Sequence, residues 1–149
     1  MTSAAGTNTD KDNNQPPAKL LVIDDDPDTV RVLTLCLLNY GFLVDAFSNP
    51  KDALQEIKSH PESYSLVLSD SWMPELSGMQ LAKKIKEINP NVKILLLTGS
   101  DVIDNTASDM SPSTTGIDGF IQKPIGITRL TDKILGLLDE TKDRTFFKD

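Results

Sequence analysis

Five short apolar runs alternate along the chain with segments whose apolar residues recur at helical spacing. The runs are LLVI, FLVDAF, YSLVLS, VKILLLT and GFIQK. A continuous apolar run favours a strand that is covered on both faces. Strands that alternate with helices of this length predict βαβ units. We therefore expect an α/β fold, with a parallel sheet between two layers of helices.

The expected helix ends carry recognisable capping residues. Asp26 precedes Pro27, which is typical of a helix N-cap followed by the first helical residue. Gly41 is placed to end that helix. Ser77 and Gln80 have the spacing of a capping box at the start of a later helix. These residues predict where the strand-to-helix connections lie.

The segment between the fourth and fifth strands fits the alternation least well. Ile103, Ala107 and Met110 have the spacing of two or three helical turns. The following SPSTTG segment is expected to be a loop, because Pro112 does not allow a helix to continue through it. We divide the chain into a disordered leader (1–18), one folded domain (19–140) and a C-terminal tail (141–149).

Composition excludes several classes of function. The 149 residues carry a net charge of −7, which disfavours direct nucleic-acid binding. No apolar run is long enough to span a membrane, and the leader does not resemble a secretory signal. Cys36 is the single cysteine and is interpreted as a core residue, which agrees with a reducing cytoplasm. We expect a cytoplasmic protein without direct membrane contact.

Polar side chains follow four of the five predicted strands. Asp24 and Asp25 end the first strand, Asp70 the third, Thr98 the fourth and Lys123 the fifth. Functional groups of open parallel sheets gather at the carboxyl ends of the strands, so these side chains are expected to meet. Oxygen ligands without a nearby histidine or cysteine point to a hard cation such as Mg²⁺. A carboxylate left near the metal can attack a phosphoryl group.

Four motifs follow one another along the chain: VIDDDP, LVLSDSWMPELSG, ILLLTGS and GFIQKPI. In this order they resemble the receiver domain of two-component response regulators, and the resemblance covers about Lys19–Glu140. It implies a doubly wound five-stranded parallel sheet of flavodoxin-like order 2-1-3-4-5, with helices on both faces. It also implies a phosphoacceptor that is modified by a histidine kinase or phosphotransfer protein.

The resemblance implies a role for each residue at the strand ends. Asp70 takes the place of the phosphoacceptor. Asp24 and Asp25 take the places of the acidic pair that holds Mg²⁺ together with Asp70 and the backbone carbonyl of Trp72. Thr98 matches the switch hydroxyl, and Lys123 matches the phosphate-binding lysine.

Further positions match the family pattern around these residues. Phe120 takes the place of the switch aromatic, whose rotamer is coupled to the Thr98 hydroxyl. Gly99 matches the small residue that leaves the phosphate accessible, and Pro124 matches a cis proline. The resemblance further implies that the chain is a phosphorylation target with self-catalysed transfer and hydrolysis rather than an enzyme.

Three features depart from the family pattern. Asp26 is a third acid, which we interpret as a cap rather than a metal ligand. Trp72 is bulky at a position where it limits water access to the phosphate, which predicts a slowly decaying phosphoprotein. Residues 108–116 are rich in Ser and Thr where a helix usually continues. That helix belongs, with the fifth strand and last helix, to the family's signalling surface, so the downstream target is left open.

The sequence leaves the oligomeric state and the extent of the protein open. A monomer and a phosphorylation-dependent dimer through the last two helices both fit. A stand-alone regulator and a fragment of a longer one both fit as well.

Three other functions were weighed against phosphotransfer. A phosphatase of the haloacid dehalogenase type would use Asp24 or Asp26 as its acceptor. An EF-hand would use Asp24, Asp26 and Asp28, but Thr29 stands where it needs Gly and Leu35 where it needs Glu. A degenerate receiver that acts only as a binding module is disfavoured because the acids, the hydroxyl and the lysine are all present.

Overall fold

The computed structural model describes residues 17–99, 116–123 and 126–147. Within them, strands and helices alternate as the apolar runs predict. The elements are β1 (Lys19–Ile23), α1 (Pro27–Tyr40), β2 (Leu43–Phe47), α2 (Pro50–Ser59), β3 (Leu66–Asp70), α3 (Gly78–Ile88), β4 (Lys93–Thr98), β5 (Gly119–Gln122) and α4 (Ile127–Phe147).

The strands form one parallel sheet in the order β2-β1-β3-β4-β5. Helices α2 and α3 contribute to the core on one face of the sheet, and α1 and α4 contribute to the core on the other. The predicted doubly wound sheet of order 2-1-3-4-5 is confirmed.

Alternate residues of β1 supply the two core layers. Leu21 and Ile23 lie in the layer covered by α2 and α3, whereas Leu20 and Val22 lie in the layer covered by α1 and α4. All four side chains are at most 1% exposed. Because both faces of the strand are removed from water, its sequence is apolar throughout rather than alternating.

The start of α1 is capped as the sequence predicts. Asp26 Oδ1 accepts a hydrogen bond from the backbone N–H of Asp28 at 3.1 Å, and Asp26 Oδ2 accepts one from the Thr29 hydroxyl at 2.9 Å. Pro27 is the first helical residue, and Gly41 ends the helix with φ 116°. Glycine adopts this left-handed conformation with little steric penalty. The connection from β1 to α1 is therefore short and rigid.

The start of α3 is held by the predicted capping box. Ser77 Oγ accepts from the Gln80 N–H at 3.1 Å, and Gln80 Oε1 accepts from the Ser77 N–H at 3.0 Å. This reciprocal pair satisfies two backbone donors that have no partner within the helix. It fixes the direction in which the chain leaves the loop after β3.

Tyr64 joins three elements at the end of the sheet away from the strand-end acids. Its hydroxyl lies 2.6 Å from Asp45 Oδ2 in β2 and 2.7 Å from Glu56 Oε2 in α2. Lys19 Nζ lies 3.2 Å from Asp45 Oδ2 and 5.2 Å from the centre of the tyrosine ring. Burial and the two carboxylates raise the pKa of Tyr64 above its ordinary value of 10.0. The same hydrogen bond lowers the pKa of Asp45.

Some predicted boundaries differ from those of the structure. β3 covers Leu66–Asp70 rather than beginning at Tyr64, and β2 begins at Leu43. Helix α4 continues to Phe147, so most of the segment 141–149 predicted as a tail is helical. No Gly or Pro follows Gly136, so no residue that strongly breaks a helix interrupts α4 there. Cys36 is half-buried rather than a fully buried core residue.

Several predictions lie outside the described residues. These are the helical turns around Ile103–Met110, the SPSTTG loop up to residue 115, the cis Pro124 and the leader up to residue 16. Among the helices that the structure describes, none combines the length and the apolar character needed to cross a bilayer.

Candidate functional site

The register of β1 and β3 brings two of the predicted acids to the same level of the sheet. Ile23 pairs with Ser69, so Asp24 and Asp70 each follow directly in two neighbouring parallel strands. Side chains alternate between the faces of a strand, and paired residues share a face. The two carboxylates therefore project on the same side at the carboxyl end of the sheet.

Three carboxylates meet at this edge. Oxygen atoms of Asp24, Asp25 and Asp70 all lie within 4.8 Å of one another. Asp24 is 2% exposed, Asp70 is half-buried and Asp25 is exposed. Like charges about 4 Å apart repel by about 4 kcal/mol at an effective dielectric constant of about 20. The cluster therefore requires positive charge.

Lys123 supplies positive charge from the end of β5. Its Nζ lies 3.2 Å from Asp70 Oδ1 and 3.5 Å from Asp24 Oδ2. Burial lowers the pKa of Lys123, but attraction to the Asp24 and Asp70 carboxylates outweighs this effect, and the pKa is raised. The lysine therefore stays protonated within the acidic cluster.

Within the part of the chain that the structure describes, only one of the two carboxylate oxygens of Asp24 accepts a hydrogen bond. Its Oδ1 accepts a hydrogen bond from the Asp26 N–H at 2.9 Å, whereas its Oδ2 is buried without a hydrogen-bond partner. Burial raises the pKa of Asp24, the Asp26 N–H lowers it, and repulsion from Asp70 raises it again, with a raised pKa as the result. A buried carboxylate oxygen that accepts no hydrogen bond and lies among other carboxylate oxygens fits a hard divalent cation such as Mg²⁺. The residues present thus suit that ion.

Thr98 is buried at the end of β4 beside the cluster. It is 1% exposed, and its Oγ1 has no hydrogen-bond partner among the residues that the structure describes. Its backbone carbonyl accepts from the Lys123 N–H at 2.6 Å, which ties the end of β5 to β4. Phe120, paired with Leu96, is half-buried and packs against the core layer under α2 and α3. The switch roles of Thr98 and Phe120 stay predictions.

Gly99 and Trp72 are the residues expected to control phosphate access. A Cβ built on Gly99 meets nothing within 4 Å. The Trp72 side chain is 69% exposed, so it lies mainly in solvent, and the shielding of a phosphate by Trp72 stays a prediction. The Asp26 oxygens are engaged in the helix cap, and Asp26 is not one of the three clustered acids.

Two residues near the phosphoacceptor position were missed by the sequence reasoning. Ser69 is 1% exposed, and its hydroxyl donates to the backbone carbonyl of Asp70 at 2.9 Å. Gly78 packs its backbone against the same carbonyl. A polar residue inside the apolar run LVLSD was the available signal for Ser69. Nothing in the sequence pattern separates Gly78 from an ordinary first residue of a helix.

Comparison with known proteins agrees with this arrangement. The family model described as the response regulator receiver domain matches residues 20–135. The chain therefore belongs to the response regulator receiver domains of two-component systems.

Individual relatives are 30% identical to the chain over the residues that match. The transcriptional regulatory protein GlrR of Escherichia coli (strain K12) is 30% identical over 129 residues, which are 87% of this chain and 28% of GlrR. The response regulator receiver protein CpdR of Brucella abortus (strain 2308) is 30% identical over 120 residues, which are 80% of this chain and 96% of CpdR. The chain thus spans about a quarter of the length of one relative and nearly all of the other.

A solved structure has the same fold. The response regulator protein TrrA from Thermotoga maritima, in complex with Mg²⁺–BeF, matches with a TM-score of 0.69 and 30% identity. The match covers 80% of this chain and 98% of the TrrA chain.

Proposed function

We propose that Asp70 accepts a phosphoryl group from a phosphohistidine of a histidine kinase or phosphotransfer protein, and that this modification switches a protein-interaction surface. The observation that carries the proposal is the convergence of Asp24, Asp25 and Asp70 within 4.8 Å, with the Lys123 ammonium 3.2 Å from Asp70. A carboxylate held among groups that offset charge is suited to attack on phosphorus.

The transfer replaces one phosphorus bond by another. A carboxylate oxygen of Asp70 attacks the phosphorus atom, and a P–O bond forms while the P–N bond to the donor histidine breaks. The electron pair of the broken bond stays on the imidazole nitrogen. The product is a mixed anhydride, which attack by water on phosphorus later cleaves to inorganic phosphate and the original carboxylate.

Residues around Asp70 have separate tasks in this proposal. Asp24, Asp25, Asp70 and the backbone carbonyl of Trp72 would hold Mg²⁺. When bound, this ion supplies positive charge that offsets the carboxylates and the phosphoryl oxygens. The buried Oδ2 of Asp24, which accepts no hydrogen bond, supports this ligand set, and the similar TrrA was solved in complex with Mg²⁺–BeF. Lys123 binds a phosphoryl oxygen in place of its present contact with Asp70.

In this proposal the Thr98 hydroxyl couples phosphorylation of Asp70 to a change of conformation. It is buried without a partner, and an oxygen of the phosphoryl group would supply one. A ligand shifts an equilibrium by its differential affinity for the two states. We propose that this hydrogen bond favours the conformer in which Thr98 and Phe120 have moved toward the phosphoaspartate.

The proposal covers a signalling protein rather than an enzyme with a separate substrate. The chain takes part in its own phosphotransfer and hydrolysis, in a cytoplasmic location, and acts on a protein target as a monomer or as a phosphorylation-dependent dimer.

Labelling of the full chain by acetyl phosphate with Mg²⁺ tests the assignment. We expect one phosphoryl group per chain by intact-mass spectrometry, located on Asp70 by peptide mapping, and none on Asp70→Asn. Asp26→Asn is the matched control, because Asn also caps helices, and it is expected to be labelled at the wild-type rate. Label on Asp24 or Asp26 would instead favour a phosphatase of the haloacid dehalogenase type. An unlabelled wild type would favour a binding module.

A further inference from the structure

The backbone of α3 approaches the peptide after Asp70 unusually closely at Gly78. A Cβ built on Gly78 lies 2.4 Å from the carbonyl oxygen of Asp70, 2.9 Å from Ser71 Cα and 3.0 Å from Leu96 Cδ2. Two of these three atoms belong to the backbone, so no change of rotamer relieves them. Any side chain at position 78 would displace the Asp70–Ser71 peptide or the helix.

Hydrogen bonds hold this peptide and the peptide that follows it. The Ser69 hydroxyl donates to the Asp70 carbonyl at 2.9 Å. The Ser71 N–H donates to the Leu97 carbonyl at 2.9 Å, and the Gly78 N–H donates to the Ser71 carbonyl at 3.0 Å. Movement of the Asp70–Ser71 peptide away from an added Cβ would therefore strain these hydrogen bonds.

The requirement at position 78 is for space rather than for an unusual backbone conformation. Among the described residues, the glycines with positive φ are Gly41 and Gly116. Gly78 is not one of them; it is the first residue of α3 and follows the N-cap Ser77 of the capping box. An alanine at this position meets no conformational penalty of its own, so its effect reports the contact with Asp70 and Ser71.

We infer that Gly78 is a positioning residue for the phosphoacceptor: its missing side chain lets the start of α3 seat the Asp70–Ser71 peptide and thereby sets the position of the Asp70 carboxylate against Asp24 and Lys123. The inference rests on the proposed function of Asp70. A displacement of about 1 Å at a reacting group can cost about 100-fold in rate. Relief of a 2.4 Å contact requires a movement of that order.

Gly78→Ala tests this inference when it is compared with Gly136→Ala. Gly136 lies within α4, and a Cβ built on it meets nothing within 4 Å. For Gly78→Ala we expect the Mg²⁺ affinity, measured through the fluorescence of Trp72, to fall at least about 10-fold. The rate of labelling by acetyl phosphate should fall by a similar factor. For Gly136→Ala both quantities should equal those of the wild type. Wild-type values for Gly78→Ala would overturn the inference.

A second-site variant separates positioning from core packing. Leu96→Val shortens the one side chain that the added Cβ would meet, but leaves both backbone contacts. If Gly78→Ala/Leu96→Val regains the Mg²⁺ affinity of Leu96→Val alone, the defect comes from packing and the inference fails. If the double variant stays as weak as Gly78→Ala, the backbone contact is responsible.

Ser69→Ala keeps the inference testable if Gly78→Ala does not fold. It removes the hydroxyl that holds the same carbonyl and adds no atom, so Mg²⁺ affinity should fall, and an unchanged affinity would overturn the inference. A wild type that binds Mg²⁺ without labelling at Asp70 would refute the proposed function. The Mg²⁺ affinities of the variants would still decide the role of Gly78.

Discussion

Lys123 Nζ lies 3.2 Å from Asp70 Oδ1, although 53 residues separate the two along the chain. Lys123 also lies 3.5 Å from Asp24, whose side chain is 2% exposed. One ammonium group therefore offsets two carboxylates from different strands. We therefore expect the stability of the protein without metal to depend on this arrangement.

Replacement of Lys123 by Ala should destabilise the metal-free protein. The loss of one partner leaves the buried Asp24 carboxylate uncompensated, and since the lysine is partly exposed we expect a decrease of about 1–3 kcal/mol in the free energy of unfolding. Mg²⁺ should reduce this difference, because the ion takes over the compensation. Urea unfolding with and without Mg²⁺ measures both effects. Equal destabilisation in the two buffers would contradict the shared site.

The same variant should separate labelling from the conformational response. Asp70 and its acidic neighbours are intact in Lys123→Ala, so we expect labelling by acetyl phosphate to persist. The contact between the lysine and the phosphoryl group is lost, so the change in Trp72 fluorescence on labelling should be much smaller. A full fluorescence change would remove Lys123 from the switch.

Thr98→Val should stabilise the unmodified protein. The Thr98 hydroxyl is buried without a partner, and such burial costs about 1–3 kcal/mol, part of which valine recovers at nearly the same volume. We expect the free energy of unfolding to rise by about 1 kcal/mol while the response to beryllofluoride is lost. Thr98→Ser is the control that keeps the hydroxyl and should keep the response. A less stable Thr98→Val would indicate that the hydroxyl has a partner in solution.

Two substitutions should separate the helix-capping role of Asp26 from a role of its negative charge in binding metal. Asp26→Ala should lower the free energy of unfolding by about 1 kcal/mol, because it removes the N-cap of α1. Asp26→Asn should retain most of that stability. Because this variant lacks the carboxylate, it also tests directly whether Asp26 binds the metal. Chemical denaturation and Mg²⁺ titration of both variants measure these effects. A loss of Mg²⁺ affinity in Asp26→Asn would make this acid a ligand after all.

Tyr64→Phe should destabilise the protein in a pH-dependent manner. Its hydroxyl contacts two carboxylates, and we expect its loss to cost about 1–2 kcal/mol near neutral pH. The folded-state pKa of Tyr64 is raised above 10.0, so this stabilisation is fully present below pH 10 and decreases as the pH rises above it. There the unfolded tyrosine loses its proton while the folded one retains it.

Measurements at acidic pH give a second test of the contacts between Tyr64 and its carboxylate partners. The folded-state pKa of Asp45 is lowered from 3.8, so its contribution is present above that pH and disappears as the pH falls through the folded pKa. Denaturation of wild type and Tyr64→Phe across the pH range measures both limits. A constant difference between the two proteins at all pH values would refute the linkage.

The parts of the structure that depend on neighbouring residues could be predicted from the sequence. Asp26, Pro27 and Gly41 act within α1 or directly beside it, and their chemistry specifies the ends of that helix. The identity of the strand-end residues likewise follows from where each apolar run stops. Because parallel strands share one direction, this was sufficient to bring Asp24, Asp70 and Lys123 together.

The features that depend on three-dimensional distance could not be predicted. Tyr64 contacts Asp45 and Glu56 across 19 and 8 residues, and no local pattern marks the three as partners. The closeness of Gly78 to Asp70 depends on the angle at which α3 meets the sheet. The predicted end of the last helix differs from the structure because polar residues were interpreted as a tail, although no Gly or Pro interrupts the helix there.

The pairing of Ile23 with Ser69 has a consequence for how this protein tolerates mutation. Loss or gain of one residue within β1 or β3 would turn the carboxylate that follows to the opposite side of the sheet. Exchange of one apolar residue for another in these strands leaves that carboxylate where it is. The length of the two strands is therefore a stricter requirement than their composition, and codon deletions there should be far more damaging than conservative replacements.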